Sequence, residues 1–96
     1  MLHLIFQSPI ELAVLERIEA GDAVVFIGNS VMMTLRHGAL AERLAAMAKS
    51  RLLYVLSDDI TLRGIDPDAL VGEIAVIDYS GLVGLTLAHK VIQSWY

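Results

Sequence analysis

The sequence predicts a small doubly wound α/β domain, in which a mostly parallel sheet of about four strands carries helices on both faces. Short apolar runs alternate along the chain with longer segments of helical periodicity, without internal repeats. One of the runs, residues 23–27, is apolar throughout, which is typical of a strand covered on both sides. Ninety-six residues are enough for a single core, so we expect one domain spanning residues 1–96.

The first predicted strand, residues 2–6, leads into a helix. Ser8, Pro9 and Glu11 have the spacing of an N-cap, a first helical residue and the glutamate of a capping box. This helix continues until Gly21, which ends it. Its apolar positions predict one buried face, formed by Ile10, Val14, Leu15 and Ile18.

The middle of the chain repeats the same order of strand, turn and helix. The apolar strand at 23–27 is followed by a turn at 28–30, with the sequence Gly-Asn-Ser. A second helix is predicted over much of 31–49 and is expected to be loosened near Gly38, because glycine destabilises a helix interior. The third strand is residues 52–56.

A short helix follows the third strand. Ser57 or Asp58 is expected to cap this helix, and Gly64 to end it. Residues 66–68, Asp-Pro-Asp, predict a turn before the fourth strand at residues 74–77.

The closing segment is predicted to be a helix that begins near Tyr79 or Ser80 and continues to Tyr96. On a helical wheel its apolar side chains cover about half the circumference, which is more than packing on one sheet requires. Gly84 lies near the middle of that arc. We therefore expect a subunit interface on this helix, formed by Leu85, Ala88, Val91, Ile92, Trp95 and Tyr96.

The composition favours burial against partner subunits. Hydrophobic residues make up 56% of the chain, which is more than the roughly 45–50% of a typical soluble domain. No apolar run reaches the about 18 uninterrupted residues of a membrane span, and the first residues lack the basic region and cleavage site of a signal peptide. We expect a cytoplasmic protein without a membrane partner.

Charge and cysteine content exclude several kinds of chemistry. Seven basic and eleven acidic side chains give a net charge of −4 without a basic cluster, so direct binding to nucleic acid is not expected. The chain contains no cysteine. Disulfides, thiolate metal sites and persulfide chemistry on this chain are therefore excluded.

Ligands of doubly wound sheets bind beyond the carboxyl ends of the strands. Here those ends are followed by Gln7-Ser8, Gly28-Asn29-Ser30, Ser57-Asp58-Asp59 and Asp78-Tyr79-Ser80, which should be neighbours. The glycine-containing loop could present amides to an anion, and the two aspartates could share a metal ion or a proton. Turn and cap chemistry explains both stretches more simply, with Arg63 a possible partner of Asp59.

No catalytic set or resident cofactor is predicted. The candidate site residues are Gly28, Asn29, Ser30, Asp58 and Asp59. The histidines, His3, His37 and His89, lack the i, i+4 partner of helical zinc motifs, so a structural or surface role is expected for each and no metal site is predicted. The serines lack the G-x-S-x-G elbow of serine hydrolases.

Several short motifs occur together in order along the chain. They are Met1-Leu2-His3, Ser8-Pro9, Glu19-Ala20-Gly21-Asp22, Leu53-Tyr54-Val55-Leu56 followed by Asp59 and Arg63-Gly64, Ile77-Asp78-Tyr79, and Gln93-Ser94-Trp95. In this combination the chain resembles the DsrH/TusB family over its whole length.

The resemblance implies a DsrE-like α/β fold and a place in a cytoplasmic sulfur-relay assembly. In the TusBCD type, three paralogous subunits form a heterohexamer, a dimer of heterotrimers, that passes persulfide sulfur toward 2-thiolation of the tRNA wobble uridine. The relay cysteine belongs to the TusD-like subunit. In the sister DsrEFH complex, which serves sulfur oxidation, the DsrH-type subunit carries a cysteine in its first helix, and the matching position here falls near Leu15.

Two hypotheses follow. The resemblance implies a non-catalytic, cysteine-free subunit that assembles with TusC-like and TusD-like paralogues in a sulfurtransferase complex and shapes the site around a neighbour's cysteine. The alternative is a stand-alone homo-oligomeric protein that binds a small anion at the strand ends, since related folds host many functions.

Overall fold

The computed structural model describes all 96 residues, and its centre is a five-stranded sheet in the order β4-β3-β2-β1-β5. Every neighbouring pair of strands is parallel. The strands are β1 (Leu2–Ile5), β2 (Ala23–Phe26), β3 (Leu52–Leu56), β4 (Ala75–Ile77) and β5 (Ile92–Trp95). The α-helices are α1 (Leu12–Glu16), α2 (Ala41–Met47), α3 (Ser57–Leu62) and α4 (Tyr79–Ala88), and 3-10 helices span Gly28–Thr34 and Pro67–Ala69.

The strand order makes the fold doubly wound. From β1 to β4 the chain moves across the sheet in one direction, and it then returns to place β5 on the other side of β1. Right-handed crossovers in the two directions place helices on opposite faces, so α1, α2 and α3 cover one face and α4 covers the other. We call these the first face and the second face. The predicted α/β class, with helices on both faces of a parallel sheet, is confirmed.

The first face carries the main core, a cluster of 17 buried residues. The apolar positions predicted for the buried face of the first helix are all buried, although the first and the last of them lie outside α1: Ile10, Val14, Leu15 and Ile18. All four residues of β2 are also buried, as its continuous apolar run predicts.

The second face is covered more thinly. Its buried cluster contains Leu2, Ala23 and Val25, and α4 contributes the partly buried Leu82 and Leu85. Helix α4 has no fully buried residue. A helix is about 10–12 Å wide, whereas five strands spaced about 4.8 Å apart span about 19 Å between the outer strand axes, so one helix cannot cover this face.

The predicted continuation of the last helix to Tyr96 is wrong. Helix α4 ends at Ala88, and Ile92–Trp95 form β5, which pairs in parallel with β1. Without this strand, β1 would be an edge strand with unpaired backbone groups. Instead, Leu2 N donates to Val91 O at 3.0 Å and Phe6 N donates to Trp95 O at 2.8 Å. Backbone pairing therefore outweighs the helical periodicity of this segment.

The start of the first helix also differs from the prediction. Helix α1 begins only at Leu12, and its N-cap residue Glu11 makes no side-chain cap. Ser8 does not form a capping box; instead, the Gln7 Oε1 atom accepts a hydrogen bond from Glu11 N at 2.8 Å. The predicted end of the helix at Gly21 is also wrong, because α1 stops at Glu16; the left-handed Gly21, with φ +87°, turns the chain toward β2.

The predicted second helix is divided in two. The 3-10 helix Gly28–Thr34 comes first, α2 starts at Ala41, and between them Leu35 forms a bridge with Leu70. The expected loosening near Gly38 is thus a complete interruption. Helix α3 starts directly at Ser57 with no side-chain cap, so the predicted cap by Ser57 or Asp58 is wrong.

Candidate functional site

The structure joins two of the predicted strand-end loops, the one after β2 and the one after β3. Gly28 N donates to Asp59 Oδ2 at 2.8 Å, across 31 residues of sequence. Gly28 adopts a left-handed conformation, with φ +66°, which favours glycine at this turn. Both loops are therefore held in one fixed arrangement at the carboxyl edge of the sheet.

Arg63 completes this connection. Its Nη2 atom donates to Asn29 Oδ1 at 2.7 Å, and its Nη1 atom donates to the carbonyl oxygen of Asp59 at 3.0 Å. The predicted i, i+4 pair is also present, with 3.6 Å between Arg63 Nη1 and Asp59 Oδ1. The Arg63 guanidinium therefore already has hydrogen-bond acceptors within the chain. We call Gly28, Asn29, Asp59 and Arg63 the loop clasp.

Ser30 and Asp58, also candidate residues, lie outside the clasp. Ser30 is fully buried; its Oγ atom accepts from Ile27 N at 3.0 Å and lies 2.6 Å from the Ile5 carbonyl, to which it donates. It therefore fastens the end of β1 to the turn after β2. Asp58 is exposed, and its carboxylate makes no hydrogen bond or ion pair. It is the candidate side chain best placed to meet another molecule.

At the other two strand ends, Asp78 and Gln7 each make a hydrogen bond away from the loop clasp. The Asp78 Oδ1 atom accepts from Gly81 N at 2.8 Å and so caps α4. The Gln7 Nε2 atom lies 3.4 Å from the Tyr96 carbonyl oxygen, to which it donates. Of the four predicted neighbouring sites, the structure connects the Gly28 and Asp59 loops by direct contact, whereas Asp78 bonds within its own segment and Gln7 bonds to the last residue of the chain.

A second group of polar side chains joins His3 of β1 and Trp95 of β5 to Asp22, which immediately precedes β2. His3 is buried and its Nε2 atom lies 2.9 Å from Asp22 Oδ2. The Trp95 Nε1 atom donates to His3 Nδ1 at 3.1 Å. An indole N–H can only donate, so His3 Nδ1 is the acceptor and the ring proton sits on Nε2. We call His3, Asp22 and Trp95 the polar triad.

Asp22 is held as an anion by this surrounding. Burial acts to raise its pKa, but hydrogen bonds from the Glu19 amide, the His3 ring and the Met1 amino group outweigh burial and lower the pKa to about 2. No buried side-chain nitrogen or oxygen lacks a partner. The triad is therefore a satisfied structural network.

No group of three histidine, aspartate, glutamate or cysteine side chains comes close enough to hold a metal ion. No helix is long and apolar enough to cross a bilayer. One open groove, of about 290 Å³, lies away from the strand ends and is lined by Arg36, Ala41, Glu42, Ala45, Val71, Gly72 and Glu73.

The predicted interface residues do not share one helical face. Leu85 is half-buried on the second face and Trp95 is half-buried in the first-face core. The other predicted members are exposed: Ala88, Val91, Ile92 and Tyr96. Of these, Tyr96 stacks on Phe6 with 5.0 Å between ring centroids.

Comparison with known proteins gives a consistent result. The family model described as "DsrH like protein" matches residues 7–92. Protein TusB from Pectobacterium parmentieri is 34% identical over 98 residues, covering 99% of this chain and 100% of that protein. Protein TusB from Photorhabdus laumondii subsp. laumondii is 29% identical with the same coverage.

Solved structures support the fold. A protein of unknown function from Methanobacterium thermoautotrophicum superposes with a TM-score of 0.78 at 13% identity, covering 98% of this chain and 96% of that one. The YchN protein from E. coli gives a TM-score of 0.73 at 12% identity, covering 98% and 97% of the two chains. At these identities the likeness concerns the fold alone.

Proposed function

The chain belongs to the DsrH-like family, and from this membership we propose that it is a non-catalytic subunit of a sulfurtransferase complex. The complex would pass persulfide sulfur for 2-thiolation of the tRNA wobble uridine, in the cytoplasm. The similarity to proteins named TusB, over 99% of the chain, supports the tRNA branch of the family over the sulfur-oxidation branch. TusC-like and TusD-like paralogues are the proposed partners, in a heterohexamer built as a dimer of heterotrimers.

The observation that carries the proposal is the absence of cysteine from a chain that matches its relatives along its length. A persulfide requires a thiol, so the sulfur must be carried by another subunit. This chain would then complete the assembly and shape the site around a neighbour's cysteine.

We propose that the strand-end loops after β2 and β3 line that intersubunit site. The loop clasp would fix the shape of both loops, and the Ser30 hydroxyl would attach the loop after β2 to the end of β1. Asp58 projects from this rigid base without a partner of its own. Its free carboxylate would make the contact with the neighbouring subunit.

Assembly is tested by co-expressing this chain with its two paralogues and purifying on a tag placed on this chain. Size-exclusion chromatography with light scattering should give a stable hetero-oligomer with about twice the summed mass of the three chains. Recovery of this chain without either paralogue would overturn the proposed function.

The site is tested in the purified complex. Asp58→Asn should slow sulfur transfer to the acceptor while leaving the mass of the complex unchanged, because the carboxylate makes no hydrogen bond or ion pair within its own subunit. Asp68→Asn is the matched control, since Asp68 is also exposed but lies in the 3-10 helix Pro67–Ala69. Equal transfer rates in wild type and Asp58→Asn would remove the loops from the proposed site.

The alternative, a stand-alone binder of small anions, gains no support from the strand ends. Arg63, the cation at this edge, is already engaged by Asn29 and Asp59, and the neighbouring Asp58 would repel an anion.

A further inference from the structure

One side of α4 carries a row of exposed apolar side chains that do not pack on the sheet. Tyr79, Val83 and Leu87 follow one another at i, i+4 and i+8, and their exposed fractions are 58%, 53% and 82%. We call these three residues the α4 stripe. Beside it, Gly84 is exposed, and a Cβ atom placed there would have no neighbour within 4 Å. A second backbone can therefore approach closely at this point.

We propose that the α4 stripe is a two-fold contact between two copies of this chain. The stripe is symmetric about Val83, with Tyr79 one helical turn before it and Leu87 one turn after it. In an antiparallel pair of α4 helices, Tyr79 of each copy packs on Leu87 of the other. A two-fold interface requires this self-complementarity, in which residue i contacts j and j contacts i.

Charges at the two ends of the helix favour the same arrangement. Helix α4 itself carries no Asp, Glu, Lys or Arg, although the chain has a net charge of −4. Asp78 precedes the helix and Lys90 follows it; both are exposed, and neither is in an ion pair. Antiparallel packing places Asp78 of one copy beside Lys90 of the other, whereas parallel packing would bring like charges together.

The thin cover of the second face provides further area. Leu52 and Ile92 pair in register with Ala23 and Leu2 of the second-face cluster, so they lie on this face, and both are exposed. A stable interface buries about 800 Å² on each partner, which a pair of helices about 15 Å long does not reach alone. The second copy therefore extends from α4 over these flanking side chains.

A single introduced cysteine tests this geometry directly, because the chain has none of its own. Val83→Cys, at the two-fold axis, should form a disulfide-linked homodimer under mild oxidation, since the two Cα atoms must approach within about 7 Å. Leu62→Cys is the matched control: Leu62 is also exposed, but it lies on α3 over the first face. Equal cross-linking of the two variants would overturn the proposal.

The mass of the isolated full-length chain provides the second test. Light scattering over a range of concentrations should show a dimer, and Val83→Arg should raise its dissociation constant by about thirtyfold or more, while Leu62→Arg leaves it unchanged. A monomer at every concentration, a dimer insensitive to Val83→Arg, or association only with a co-expressed paralogue would each overturn the contact. The mass of the complex with the paralogues is measured in its own experiment, so a failure of the two-fold contact is distinguishable from a failure of the proposed function.

Discussion

At the scale of single residues, the hydrogen bond to His3 explains the position of the Trp95 side chain. Its indole N–H satisfies His3 Nδ1, the rings stack with 6.4 Å between centroids, and the other ring nitrogen of His3 meets Asp22. Leaving a buried polar atom unpaired costs about 1–3 kcal/mol, so each member of the polar triad requires the other two. The triad thereby fixes β5 against β1 and the loop that leads into β2.

The low pKa of Asp22 predicts a pH-dependent contribution to stability. The pKa falls from 3.8 to about 2 on folding, so the unfolded chain binds this proton more readily. The stabilisation is complete above about pH 4 and is lost as the pH falls from about 4 to about 2. Asp22→Asn should therefore lower the free energy of unfolding by about 1 kcal/mol at pH 7, allowing for solvent screening, and by progressively less below pH 4.

Urea denaturation of both proteins between pH 7 and pH 2 measures this difference. Asp58→Asn serves as the control, because the Asp58 carboxylate makes no hydrogen bond, and its curve should follow that of the wild type. A gap between wild type and Asp22→Asn that stays constant down to pH 2 would show that charge plays no part in the triad.

At the scale of elements, two glycines in α4 have different reasons to be there. A Cβ atom at Gly81 would lie 3.1 Å from Ile77 Cβ, whereas one at Gly84 would meet nothing within 4 Å. Glycine at position 81 therefore avoids a tight contact between the helix and the end of β4. Gly84 weakens the helix without any gain inside the subunit, which agrees with a role in contact with a second chain.

Alanine substitutions separate these two roles. Gly84→Ala should raise the free energy of unfolding of a dilute, monomeric sample by up to about 1 kcal/mol, because alanine is the better helix former. Gly81→Ala should give less than this or a loss, because the added methyl group meets Ile77. Thermal and urea denaturation of the two variants measure the difference. Equal gains would mean that α4 moves freely enough to accept both side chains.

The elements that the sequence predicted correctly are those whose pattern is local. The continuous apolar run of β2 and the i, i+4 spacing of Val14 and Ile18 indicate burial, and all of these residues are buried. Strand β5 could not be found in this way, because the spacing of its apolar residues also fits a helix. It forms because β1 offers backbone partners, and such long-range pairing leaves no local signal.

The same reasoning applies to the candidate site. The i, i+4 spacing predicted the contact of Arg63 with Asp59, and this contact is present. The bonds from Gly28 N to Asp59 and from Arg63 to Asn29 span more than thirty residues and depend on how β2 and β3 lie beside each other. The residue types predicted that these loops contain turns and caps. The hydrogen bonds that join the two loops depend on the register of the sheet, which the residue types do not indicate.

At the scale of the whole molecule, the two faces of the sheet differ in how completely they are covered. The first face holds the 17-residue core, whereas the second holds a three-residue cluster under one helix without buried residues. Monomeric proteins rarely leave large contiguous apolar patches exposed. The exposed apolar side chains of the second face are therefore available to a second copy of the chain, as the two-fold contact requires.

This asymmetry predicts the order of amide hydrogen exchange. In the isolated chain, the amides of β2 should exchange slowest, because both neighbouring strands and both faces protect them, and those of α4 should exchange faster, because this helix has no buried residue. When a second copy binds, protection should increase in α4. It should change little in α1, whose apolar face is already buried in its own subunit. Mass spectrometry of dilute and assembled samples compares the two segments within one experiment, so α1 is the internal control. Increased protection confined to the first face would mean that partners approach the chain from the opposite side, and the exposed surface of α4 would then need another explanation.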